Sequence, residues 1–361
     1  MEEQRVVKPV TIGGGTRLDW VDILRAFAVF CVVLGHTLRN ATVVYPWLYC
    51  FHVPLCVMTS GIVFHHGNRC FTDFIKNKFF TLMVPYYCFA FVSIVLYAFM
   101  GDMMEKSVAG EYNVSLGQSI YGMIYANSGT GYMRWNMPLW FLPMLFSLVV
   151  IAWFLYWDKQ KMLVDWLVLV ASILMANFCY TYFKLGNLPL GIETAIYLMP
   201  FFGVGKLFSR YLQSILKVRI SVRGVIGSAF IVIATIMSTG EGQISYNADS
   251  YGARGYMYFV VMSVAFCLGF TLLATLLKAK VNWLSYVGKN TIGIMTMHKF
   301  PILFFVGLLP ITKNLTNKYP LIGSIMIASV SVVLCLIASE VIYHIFPVAL
   351  GKKRIKEKAN G

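Results

Sequence analysis

The sequence predicts an all-α fold, a polytopic membrane bundle of about ten transmembrane helices with both termini in the cytoplasm. Three observations lead there. Of the 361 residues, 58% are hydrophobic and only 12% charged, about half the charge of an ordinary soluble domain. The apolar residues fall into long runs, and the lysines and arginines fall between those runs with a strong bias to one side.

A helix needs about 20 apolar residues to cross the hydrocarbon. Ten stretches qualify: 21–43, 45–65, 79–101, 136–156, 163–182, 192–208, 224–240, 255–277, 291–311 and 321–346. The first begins after a polar stretch, exceeds a signal-peptide core and lacks a small-residue cleavage site, so it reads as a retained span. The stretch 192–208 is short and interrupted by Pro200, Gly203 and Gly205. The connection 102–135 contains an amphipathic piece, Leu116–Ala126, suited to the membrane interface.

With the N-terminus inside, 21 lysines and arginines fall on cytoplasmic segments and seven outside, while Arg25 and Lys299 lie within spans. That asymmetry places both termini in the cytoplasm. Residues 1–350 form one integral-membrane domain, and 351–361 a basic cytoplasmic tail suited to anionic lipid. The net charge of +15 reflects these basic loops and implies no nucleic-acid partner. The eight cysteines include no CxxC pair and mostly sit in apolar runs, as small buried hydrophobes. No metal is expected, because His65 and His66 lack further ligands at a suitable spacing.

Ionisable residues inside the bilayer are costly and usually face the bundle interior. Arg25 and His36 are eleven residues apart, which returns to within roughly 20° of one helix face, about 16 Å further along. One stripe therefore carries a permanent cation near the cytoplasmic rim and an imidazole deeper in. Histidine titrates near neutrality and can take a proton from a hydroxyl or act as a nucleophile. A snorkelling Arg25 and a hydrogen-bonded His36 are the plainer reading.

Five segments, in order, resemble the membrane acyltransferase 3 family, especially its fucose-acetylase-like members. "RLDWVDILRAFAVFCVVLGH" resembles the first span, with a basic residue followed eleven positions later by histidine. "FHVPLCVMTSGIVF" resembles the second span, "FIKNKFFTLMVPYY" the basic opening of the third, "MPLWFLPMLF" the Trp-Phe-Leu span, and "NTIGIMTMHKFPILFF" the late His-Pro segment.

The resemblance implies a ten-helix enzyme of the cell membrane (inner or plasma). It would move an acyl group, usually acetyl from acetyl-CoA, to a hydroxyl of an envelope sugar. His36, Asp22 and His298 are then the candidate catalytic residues. Arg25, Lys76 and Lys78 are candidates for holding the donor, and His52, Ser60, Trp140 and Glu193 for binding the acceptor. Many members carry an arginine pair three residues apart where this chain has Lys78 and Thr81, and lysine is the poorer bidentate phosphate ligand. Expected partners are membrane lipids, the glycan acceptor and acetyl-CoA; homo-oligomerisation stays open. A transporter or flippase of a lipid-linked sugar is the alternative, since buried charges in a many-span bundle suit both.

Overall fold

The computed structural model describes residues 19–38, 43–67, 69–108, 114–183, 185–242, 244–246, 250–277 and 282–353. Most of the basic tail lies outside the described residues.

The helices are α1 (Asp19–Thr37), α2 (Val44–Tyr49), α3 (His52–Ile62), α4 (Phe71–Lys78), α5 (Val84–Val108), α6 (Leu116–Tyr125), α7 (Phe141–Leu155) and α8 (Met162–Phe178). They continue with α9 (Ile192–Lys217), α10 (Ile220–Ser238), α11 (Tyr256–Ala274), α12 (Asn282–Lys289), α13 (Thr291–Met297), α14 (Lys299–Ile302), α15 (Pro310–Lys318) and α16 (Pro320–Ile345). A two-stranded hairpin, β1 (Ile244–Ser245) with β2 (Ser250–Tyr251), interrupts the α10–α11 connection. The chain is an all-α polytopic bundle, with eight helices long and apolar enough to cross a membrane.

Three irregularities trace to prolines, which have no N–H for the carbonyl four residues back. Pro85 leaves the Thr81 carbonyl without its helical donor, and α4 runs into α5 through a π-helical turn at Phe79–Met83. Pro54 does the same to Cys50 between α2 and α3, where the Ser263 hydroxyl donates to the Cys50 carbonyl instead. Pro301 does so to Met297, where α13 gives way to α14. Broken backbone at membrane depth is tolerated where protein re-satisfies the freed groups. The expected spans 45–65 and 291–311 are thus interrupted segments, and neither is among the eight continuous helices.

The opposite happens at 192–208, where α9 runs unbroken for 26 residues. Its glycines are contact points. An added Cβ on Gly205 would collide with the Met58 carbonyl, and one on Gly61 with the Phe202 carbonyl. Small residues let α3 and α9 pack backbone to backbone, as membrane helices do. Gly288 likewise lets α12 lie against the Asp22 carbonyl of α1.

Helix α1 is buried along most of its length, packed against α3, α12 and α16. Helices α8, α10 and α16 instead expose apolar residues such as Leu167, Val225 and Val333, the surface a lipid-facing helix requires. Helix α6 starts with a capping box between Ser115 and Gln118 and exposes Leu116, Ile120 and Ile124 along one stripe.

Candidate active site

A cavity of about 470 Å³ opens at the end of the bundle that carries the basic loops. Arg25 from α1, Lys78 from α4, Lys289 from α12, and Arg69 and His65 from the loop after α3 line it. Among the described residues no acidic side chain joins them there. Four cationic side chains around one concavity create a positive potential that suits an anionic ligand. Asp22, buried behind the wall, is 3.6 Å from the Arg25 guanidinium, and Lys78 lies 5.6 Å over the Phe74 ring. Ser60 and Thr81 also line the cavity; the Ser60 hydroxyl donates to the Cys56 carbonyl at 3.1 Å.

The cavity floor includes Val29, Cys56 and Met295. Each precedes or follows a histidine on the same segment: His36 lies seven residues beyond Val29, His52 four before Cys56, and His298 three after Met295. At 1.5 Å per residue these steps are about 10, 6 and 4.5 Å, all away from the basic end. The three histidines therefore gather above the floor.

The His36 and His298 rings meet with centroids 5.3 Å apart, tilted by 32°. His36 is surrounded by protein, and His298, His52 and Lys299 are its electrostatic neighbours. Yet the residue is exposed between buried Gly35 and Thr37. His298 is fully buried, and its Nδ1 is 2.9 Å from the Ile294 carbonyl. A carbonyl only accepts, so Nδ1 carries the proton and Nε2 keeps a lone pair, with no hydrogen-bond partner. His52 Nδ1 donates likewise to the Leu48 carbonyl at 2.7 Å. Its ring stands edge-on to Tyr49 and Tyr246, and Tyr246 also stacks with Trp140. The hairpin delivers Tyr246, whose hydroxyl donates to the Tyr49 carbonyl.

The structure thus divides the sequence-derived candidates. His36, His298 and His52 come together, with Trp140 one aromatic contact further out. Arg25, Lys78 and Ser60 share the cavity. Asp22 sits 14 residues before His36 on α1, about 21 Å away, where it orients Arg25 instead of meeting the histidines. Lys76 is exposed on α4, outside the cavity lining. Glu193 is buried and occupied, accepting from Asn127 Nδ2 at 2.5 Å and the Leu188 N–H at 3.0 Å; it braces the segment entering α9. Sequence reasoning missed Arg69 and Lys289, which lie on a loop and at the end of a short helix, both outside the five family-like segments.

A cavity lined by four cationic side chains, with a histidine cluster beyond its floor in a many-span bundle, suits an intramembrane group-transfer enzyme. A family model described as an acyltransferase domain matches residues 18–344, and the chain belongs to the acyltransferase 3 family of membrane acyltransferases. No curated protein and no solved structure matches the chain.

Proposed function

We propose that this membrane acyltransferase is an O-acetyltransferase. It takes an acetyl group from acetyl-CoA and gives it to a hydroxyl of a cell-surface polysaccharide or related envelope sugar, in the inner or plasma membrane. The observation that carries the reading is the alignment of the four-cation cavity with His36, which lies two helical turns above the cavity floor. Coenzyme A is a polyanion with a long, thin thioester arm. Its phosphates suit Arg25, Arg69, Lys78 and Lys289, and the arm suits the apolar lining at Val29 and Met295, on the side nearer the histidines.

His36 acts as the general base. It takes the acceptor's hydroxyl proton while that oxygen attacks the thioester carbonyl, and the CoA thiolate leaves. The buried His298 ring supports one face of His36. On the acceptor side, Trp140 and His52 are placed to contact the sugar, whereas Glu193 acts by shaping the nearby loop.

The test is mass spectrometry of the surface glycan from cells with and without the intact gene. Acetyl esters present only with the gene support the reading. An unchanged glycan, or esters of longer acyl groups alone, contradicts it.

A further inference from the structure

Lys299 has no part in the scheme above, yet it is a half-buried cation within a membrane segment that calls for an explanation. Its chain position follows directly on His298, where Pro301 interrupts the helix. Its ammonium donates to the Arg134 carbonyl at 2.8 Å, and among the described residues no aspartate or glutamate forms an ion pair with it. A cation at membrane depth normally has a counter-charge or a task. One backbone carbonyl uses one of its three N–H groups and supplies no charge. Asn136 fixes the same corner, donating to the Thr296 carbonyl and to Ser93, each at 3.1 Å. The ammonium is therefore held beside the His36–His298 pair, within electrostatic reach of both rings.

We propose that Lys299 is a catalytic residue that stabilises the oxyanion formed during acyl transfer; this rests on the reading of His36 as the base. The acceptor O–H bond breaks and its proton goes to His36, while the oxygen bonds to the thioester carbonyl carbon. The carbonyl π pair moves onto its oxygen, giving a tetrahedral oxyanion. Negative charge then exists where the ground state had none, and the two remaining N–H groups of Lys299 receive it. Collapse restores the C=O bond and breaks the C–S bond, and the thiolate takes the proton back from His36. Lys299 has its counter-ion only in the transition state, the condition under which a fixed charge accelerates a reaction most.

The test follows thiol release from acyl-CoA by purified wild type, Lys299→Gln and Lys299→Arg, with acyl-CoA binding and Tm measured alongside. Gln keeps a donor for the Arg134 carbonyl and loses the charge; Arg keeps the charge. Removing one oxyanion donor costs about 10²–10³ in kcat. Lys299→Gln should lose roughly that much in kcat, with acyl-CoA affinity and Tm near wild type, and Lys299→Arg should recover most of it. A Gln variant with near-wild-type kcat, a loss that appears equally in acyl-CoA binding, or an Arg variant as inactive as Gln would each overturn the proposal. Thiol release only from acyl groups longer than acetyl would instead overturn the acetyl reading, and the three-way comparison would stand on that donor.

Discussion

His36 and His298 face each other at 5.3 Å between ring centroids, one residue exposed and the other sealed in protein. That asymmetry assigns them different work. The exposed residue can meet a hydroxyl. The sealed ring, with Nδ1 tied to the Ile294 carbonyl, presents a fixed lone pair and cannot reorient.

The cavity makes a ranked prediction about donor binding. Arg69→Ala and Lys289→Ala should each weaken acetyl-CoA binding about tenfold or more, the value of a charged hydrogen bond of about 1.5–3 kcal/mol. Lys76→Ala, outside the lining, should leave affinity close to wild type. Calorimetry at several ionic strengths checks this, because exposed charge contacts weaken as salt shortens the screening length to about 10 Å at 0.1 M. A Lys76 effect as large as that of Lys289 would move the phosphate site elsewhere.

How much of this was legible in the sequence depends on whether helical period governed it. Arg25 and His36 were found because eleven residues nearly close three turns, and the structure places one in the cavity and the other at the histidine pair. The breaks beside His52 and His298 were hidden, because hydropathy averages over Pro54 and Pro301 and still reports an apolar run. Conversely, Gly203, Gly205 and Pro200 suggested a broken α9, since a sequence does not say whether a glycine weakens a helix or admits a neighbour. Lys76 and Lys78 are two residues apart, about 200° round a helix, so only one of them can face the cavity; which one depended on packing.

The α3–α9 contact predicts a stability effect. Gly205→Ala pushes a Cβ into the Met58 carbonyl, which is backbone and cannot swing away. Overpacking of this kind costs about 1–3 kcal/mol. Thermal unfolding in detergent should show a lowered Tm, whereas Gly117→Ala, in α6 with open space around it, should not. An unchanged Tm for Gly205→Ala would mean that the two helices are not in backbone contact.

A clasp at the basic end predicts a pH dependence. Asp158 accepts from the Gly67 N–H at 2.7 Å and from Lys206 at 3.1 Å. Burial pushes its carboxyl up, but the Gly67 and His66 amides and Lys206 outweigh that and hold it below the usual range. A depressed carboxylate stabilises the fold above its unfolded value of about 3.9 and loses that contribution as pH falls through the folded value. Asp158→Asn should therefore lower Tm near neutral pH, and its difference from wild type should close below about pH 4. A difference that stays constant across that range would show that the charge contributes nothing.

The central claim is that His36 performs the proton chemistry of transfer, and His36→Gln tests it most directly. Glutamine preserves size and hydrogen bonding but is not a base at any working pH, and a positioned base contributes about 10²–10⁴ to rate. Acetyl transfer to glycan and acetyl-CoA binding are measured on the same membrane preparation. The account predicts binding near wild type with transfer reduced by that factor or more; transfer at the wild-type rate by the folded variant would contradict it.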